Sequence, residues 1–169
     1  SSSPGTEAEY LSSSSDALSV FDIDTENLIH SGREWYHPVS WSKAVEIDPE
    51  FDNISESEKI RYNLKLLARS PSSSTFSLSH DGKVISTIPV AGVDFSSSTG
   101  TYARIVTEDG EFDPASSSPV ISLSFMNYGQ ASARGWIDFI WLQARRENIF
   151  NGKAFHIRDS KSIIPGSVT

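Results

Sequence analysis

From Ile60 to Arg69 apolar and polar side chains alternate. Ile60, Tyr62, Leu64, Leu66 and Ala68 fall on one side of an extended chain, and Arg61, Asn63, Lys65 and Arg69 fall on the other. Successive side chains of extended backbone point to opposite faces, so a period of two predicts a half-buried antiparallel strand. Residues 119–126 repeat the pattern, with Ile121, Leu123 and Phe125 opposed by Ser122 and Ser124. Asp81-Gly82, Asp109-Gly110 and Asn151-Gly152 read as hairpin turns, because both residues of such pairs accept positive φ at low cost. Pro89, which has no amide hydrogen for a ladder, is expected to close its strand or to lie on an edge.

Two stretches fit the alternation less well. Residues 136–150 are apolar on both faces before turning charged at Arg145-Arg146-Glu147. Ile137, Ile140, Trp141 and Ala144 would also make a helical stripe, but the density of Trp, Ile and Phe favours a long central strand buried on both sides. Residues 40–57, with Asp48-Pro49-Glu50 in the middle, read as an irregular crossover. The expected fold is all-β: an antiparallel β-sandwich, jelly-roll-like, with little or no helix. Serine supplies 32 of the 169 residues and falls in runs that read as loops or linkers. Residues 1–17 are accordingly expected to be a disordered serine-rich segment and residues 18–169 the sandwich. The last residues, Pro165-Gly166-Ser167-Val168-Thr169, resemble the lead-in to another strand, so a longer parent protein is expected.

Composition narrows the function. With 14 basic against 22 acidic residues the net charge is -8, and no basic stripe exists to neutralise phosphates, which argues against a nucleic-acid partner and an anionic membrane surface. No run of about 18 apolar residues is present, so no transmembrane segment is expected. The absence of cysteine excludes disulfides, thiolate metal sites and a cysteine nucleophile from this chain. The start carries no basic stretch followed by an apolar core, so a signal peptide is not part of this sequence.

Candidate chemistry is sparse. No Gly-x-Ser-x-Gly turn is available to activate a serine, and His30, His37, His80 and His156 share no metal-gathering spacing. Asp22, Asp24 and Glu26 put three carboxylates along an extended segment, and Asp48, Glu50 and Asp52 do nearly the same. Hard oxygen ligands of this kind could hold a structural calcium, although neither cluster has the turn glycine and terminal glutamate of a helix–loop–helix site, and solvated loop charge is the plainer reading. No cofactor is expected. Trp35, Tyr36 and Trp41 sit among polar neighbours and are the candidate binding aromatics, a stacking platform for sugar rings, whereas Trp136 and Trp141 are expected to pack inside.

Three segments together carry a resemblance. Ser31-Gly32-Arg33-Glu34-Trp35-Tyr36 resembles an SGREWFGE-like signature, and Lys65-Leu66-Leu67-Ala68-Arg69-Ser70 resembles the LAARS strand that follows it. Residues 135–146 are similar to a GYLDYIELNARR strand, followed by an FRD-like His156-Ile157-Arg158-Asp159. In this order they resemble the region upstream of the peptidase domain in PorU-type, gingipain-like sortases of the type IX secretion system of Bacteroidetes, over roughly residues 21–169. Trp141, Gln143 and His37-Pro38 depart from the family pattern.

The resemblance implies a non-catalytic accessory domain of an exported protein at the cell surface or outer membrane. Its partners would be the peptidase domain in cis and outer-membrane secretion components or cargo. The family's catalytic His and Cys lie downstream of these motifs, so no catalytic residue carries over. A carbohydrate-binding module is the alternative reading. Arg145 and Arg146, as neighbours on a strand, must point to opposite faces. One is expected to lie inward against a carboxylate such as Asp138 or Glu34, in a structural network with Arg33.

Overall fold

The computed structural model describes residues 14–28, 35–97 and 100–147. Among these residues the chain forms ten strands and no helix: β1 (Ser14–Phe21), β2 (Glu26–Asn27), β3 (Trp35–Val39), β4 (Val45–Ile47), β5 (Ile60–Arg69), β6 (Ser74–His80), β7 (Lys83–Val90), β8 (Arg104–Phe112), β9 (Ile121–Met126) and β10 (Arg134–Glu147). They build two antiparallel sheets. The six-stranded sheet runs β2-β3-β10-β5-β8, with β1 paired to the far half of β10, and the four-stranded sheet runs β4-β9-β6-β7. From β3 onward the chain changes sheet at every connection except the β6–β7 hairpin, and the all-β sandwich expected from the alternation is the observed fold. No helix of the described residues is long and apolar enough to cross a membrane.

The period of two explains the core. Ile60, Leu64 and Leu66 of β5, Phe76 and Leu78 of β6, Ile121 and Leu123 of β9, and Ile140 of β10 are fully buried between the sheets. The two sheets approach closely at Gly135. A Cβ there would lie 2.9 Å from the Phe125 ring and 3.0 Å from that of Phe76, so only glycine lets β10 cross above this aromatic pair. Residues 136–147 are strand, not helix, because both faces of β10 are covered. Trp136 and Ile137 point opposite ways, yet are 3% and 1% exposed.

Asp81-Gly82 makes the expected two-residue turn, with φ of 46° and 77°, and Pro89 lies on edge strand β7. Asp109-Gly110 does not turn. It lies inside β8, where Gly110 is the register partner of Tyr62 and a Cβ would lie 2.5 Å from the Tyr62 hydroxyl, so the glycine makes room for a ring. Asn151-Gly152 lies outside the described residues, as does everything from residue 148 on. The expected domain start at residue 18 also needs correction, because β1 begins at Ser14. Ser14, Ser15, Asp16 and Ala17 pair with Glu147, Arg146, Arg145 and Ala144. Residues 40–57 are more ordered than a bare crossover: they hold β4, which pairs with β9, and they place Phe51 and Ile54 in the core.

Candidate functional site

The outer faces of the two sheets differ in chemistry. On the small sheet the outward positions are Thr75, Ser77 and Ser79 of β6, Val84, Thr87 and Pro89 of β7, and Ser122, Ser124 and Met126 of β9, so hydroxyl side chains dominate this face with Val84 and Met126 exposed at its margins. On the large sheet, β1 alternates Ala17 and Phe21, which pack on the core, with Leu18 and Val20, which are 48% and 59% exposed. Val20 stands beside the half-buried Trp141 of β10. A β-bulge between Ile137 and Phe139 resets the register, after which Phe139 stands opposite Lys65. Trp136, Leu67 and the 59%-exposed Ile105 follow in one row across β10, β5 and β8. An apolar band thus runs along the large sheet on the side facing away from the core, interrupted by Lys65 opposite Phe139, Asn63 opposite Trp141 and Arg61 opposite Gln143.

One end of the band is capped by its own small cluster. Tyr36, Leu67 and Trp136 are buried together on the outer face, with Leu28 and Ala103 against them. The Trp136 indole Nε1 donates to Glu26 Oε2 at 2.9 Å, which satisfies the ring's polar atom under β2. Glu26 is therefore a hydrogen-bond acceptor for an indole. Among the described residues no three His, Asp or Glu side chains gather as metal ligands, at the Asp22–Asp24–Glu26 segment or elsewhere.

The candidate aromatics do not form one platform. Tyr36 is 6% exposed inside the outer cluster, a correction to its expected surface role, because the cross-strand neighbours of β3 cover it. Trp35 and Trp41 are 44% and 63% exposed, but Trp35 opens β3 while Trp41 lies beyond its far end. Trp41 lines a cleft of about 450 Å³ with Ser40, Glu26, Arg134 and Trp136.

Of the expected network, Arg33 and Glu34 lie outside the described residues. Arg145 is 7% exposed, but it is buried on the outer face of the large sheet, on the same side as Trp141 and not in the core, and its carboxylate partner is Asp16 and not Asp138. Its Nη1 donates to Asp16 Oδ1 at 3.2 Å, its Nε to Ser14 Oγ at 2.9 Å and its Nη2 to the Ser14 carbonyl at 3.2 Å. Asp138, on the bulge, pairs with Lys65 at 2.7 Å. Arg146 forms an isolated bridge with Ile54 across the crossover.

Two polar devices escaped sequence reasoning. His80 is 4% exposed; its Nδ1 donates to the Val120 carbonyl at 3.1 Å, and its Nε2 accepts the Ala115 amide at 2.9 Å. A carbonyl can only accept, so the two bonds define a neutral Nδ1–H tautomer that ties the β8–β9 loop to the β6–β7 hairpin. On the other side of the Phe112 ring, against which His80 and Tyr62 both pack, Glu108 of β8 accepts from the Tyr62 hydroxyl at 3.1 Å and from the Ser86 hydroxyl of β7, linking the sheets. Burial and the Glu108 hydrogen bond hold the Tyr62 phenol above its ordinary pKa. No local signal marks either device, since each joins residues far apart in the chain.

Comparison with known proteins gives fold likeness alone. No family model and no curated protein matches the chain. The solved structure of dimeric latent PorU from Porphyromonas gingivalis superposes with a TM-score of 0.66 at 20% identity, over 96% of this chain. The chain is thus similar to a PorU sandwich, and it spans 15% of the length of that PorU chain. A carbohydrate-binding module, CBM36 in complex with calcium and xylotriose, aligns over 75% of this chain and 96% of its own at 11% identity, with a TM-score of 0.43. The insecticidal δ-endotoxin Cry8Ea1 from Bacillus thuringiensis aligns over 60% of this chain and 17% of its own at 13% identity, with a TM-score of 0.41.

Proposed function

We propose that this chain is a non-catalytic accessory sandwich of an exported, PorU-type sortase-like protein of the type IX secretion system at the cell surface or outer membrane. Its role is to pack on the peptidase domain of the same polypeptide and to hold that domain in position for secretion partners or cargo. The observation that carries the reading is the contrast between the two outer faces. A face rich in serine and threonine suits water, whereas the exposed Leu18 and Val20 beside Trp141, and Ile105 in the Trp136 row, offer apolar surface that association would cover. The superposition on PorU over nearly the whole chain supports the choice of neighbour. The reading assigns no turnover to the chain.

The test is hydrogen–deuterium exchange on the chain alone and within the longer parent polypeptide that the proposal implies. The amides of β1 and β8 are expected to slow in the parent while those of β7 and β9 do not change. Equal exchange of the large sheet in both contexts would sink the docking role. With Tyr36 buried, a sugar-binding reading would rest on Trp35 and Trp41, exposed at opposite ends of β3.

A further inference from the structure

Two arginines oppose one another where the large sheet meets the Trp41 cleft. Arg69 of β5 is the register partner of Arg134 of β10, so both side chains leave the same face from backbones about 5 Å apart. Like charges directly opposite on a sheet repel and lower stability. Neither guanidinium has a carboxylate within 4.0 Å among the described residues. Elsewhere on this face the cations are matched: Lys65 has Asp138, Arg145 has Asp16, and Arg61 stands opposite Glu111.

Both arginines are nevertheless held in place, by neutral groups. Arg69 Nη1 donates to the Tyr102 carbonyl at 2.9 Å, and its guanidinium stacks between the rings of Phe95 and Tyr102, 4.2 Å from each centroid. Arg134 Nη1 donates to the Ala131 and Ala133 carbonyls, each at 2.8 Å. Arg134 also lines the cleft of about 450 Å³ that carries the exposed Trp41. The one carboxylate of that lining, Glu26, is hydrogen-bonded to Trp136. Two fixed guanidinium groups with no carboxylate within 4.0 Å among the described residues, one of them in the wall of a cleft of mixed polar and apolar lining, are preorganised for an acidic group with an apolar neighbour.

We propose that this corner receives an acidic segment of a partner protein, with carboxylates on the Arg69–Arg134 pair and an adjacent apolar side chain in the cleft against Trp41. The inference rests on the docking reading only in taking the partner to be a polypeptide. A net charge of -8 repels a polyanion at long range, which favours a short acidic segment over a long, densely charged polymer.

The test measures fluorescence anisotropy of a labelled peptide, GEEFEEG, against the whole chain. The expected result is saturable binding that weakens at least about tenfold in Arg69→Gln/Arg134→Gln and for the uncharged peptide GQQFQQG. Lys83→Gln on β7 should bind as the parent does. Single Arg134→Gln serves if the double variant loses its fold by circular dichroism, since Arg134 has no aromatic stack to lose. No saturation by about 1 mM peptide, equal binding of GQQFQQG, or tripolyphosphate binding as tightly as GEEFEEG would each overturn the proposal. Leu18→Ser/Val20→Ser perturbs the docking band at the other end of β10 and should leave peptide binding intact, so the two readings fail separately.

Discussion

Replacing Arg145 by methionine keeps an unbranched stem and removes the guanidinium, which isolates the contribution of the tether between β10 and β1. At 7% exposure the group donates to the Asp16 carboxylate and to the Ser14 hydroxyl and carbonyl of β1, and the Asp16 side chain is itself only 13% exposed. Removing one partner of a buried ion pair costs about 3–5 kcal/mol, and three charge-assisted bonds account for a loss of that size. We take about 3 kcal/mol, the lower end, because β1 lies at the sheet margin, where water can replace part of the loss. With a urea slope of about 2 kcal/mol per M, the unfolding midpoint should fall by roughly 1.5 M at unchanged slope. Asp16→Asn should cost less, since the amide oxygen still accepts. The double variant should fall short of the sum by about 1–3 kcal/mol if the two groups act through one another. Amide exchange should rise first in β1. A loss under about 1 kcal/mol with an additive cycle would mean that Arg145 behaves as a solvated surface group, and the tether argument would be wrong.

Two further outcomes follow from the packing. Gly135→Ala forces a Cβ to 2.9 Å from Phe125 and 3.0 Å from Phe76 in a closed core, so a loss of about 1–3 kcal/mol is expected in thermal unfolding, and an unchanged midpoint would refute the close approach of the sheets. For Tyr62 the raised pKa means that the fold prefers the neutral phenol. The folded state then binds the proton more tightly than the unfolded one, and this stabilisation is complete below the ordinary value of 10.0 and fades as pH rises through the raised value. Tyr62→Phe should flatten that alkaline limb in a pH series of urea midpoints, and an identical limb in both proteins would count against the link to Glu108.

The parts of this structure legible in the sequence are those decided within a few residues. The alternation of residues 60–69 is local, and β5 has those bounds. Asp81-Gly82 is short enough to set its own turn. Asp109-Gly110 carries the same cue, but glycine serves a tight turn and a crowded strand position equally well, and only the distant Tyr62 ring decides between them. That Arg145 and Arg146 leave opposite faces of β10 was legible from strand geometry, but Arg145 is buried on the outer face and not in the core. Its partner was not legible, because Asp16 lies 129 residues away in a serine-rich stretch that reads as a tail. Tyr36 was misjudged for a related reason. Its sequence neighbours are polar, whereas its spatial neighbours Leu67 and Trp136 come from β5 and β10.

That outer cluster bears on the functional reading. A two-layer sandwich needs one apolar face per sheet, and the shared core here already supplies it with residues from both sheets, including β4, β6, β9 and β10. The second apolar surface of the large sheet is therefore not required to close this fold. Its capped end, where Tyr36, Leu67 and Trp136 are covered by Leu28 and Ala103, shows how the chain itself shields such a face when a segment is at hand. Toward β1 the described residues provide no equivalent cover, and Leu18 and Val20 stay about half exposed at 48% and 59%. If solvent were the permanent neighbour there, serine and threonine would serve as they do across β6, β7 and β9. The retention of leucine, valine, isoleucine and tryptophan in one band, on a strand tethered at its start by a buried arginine, is the arrangement expected of a surface that must be flat, fixed and dry once its partner arrives.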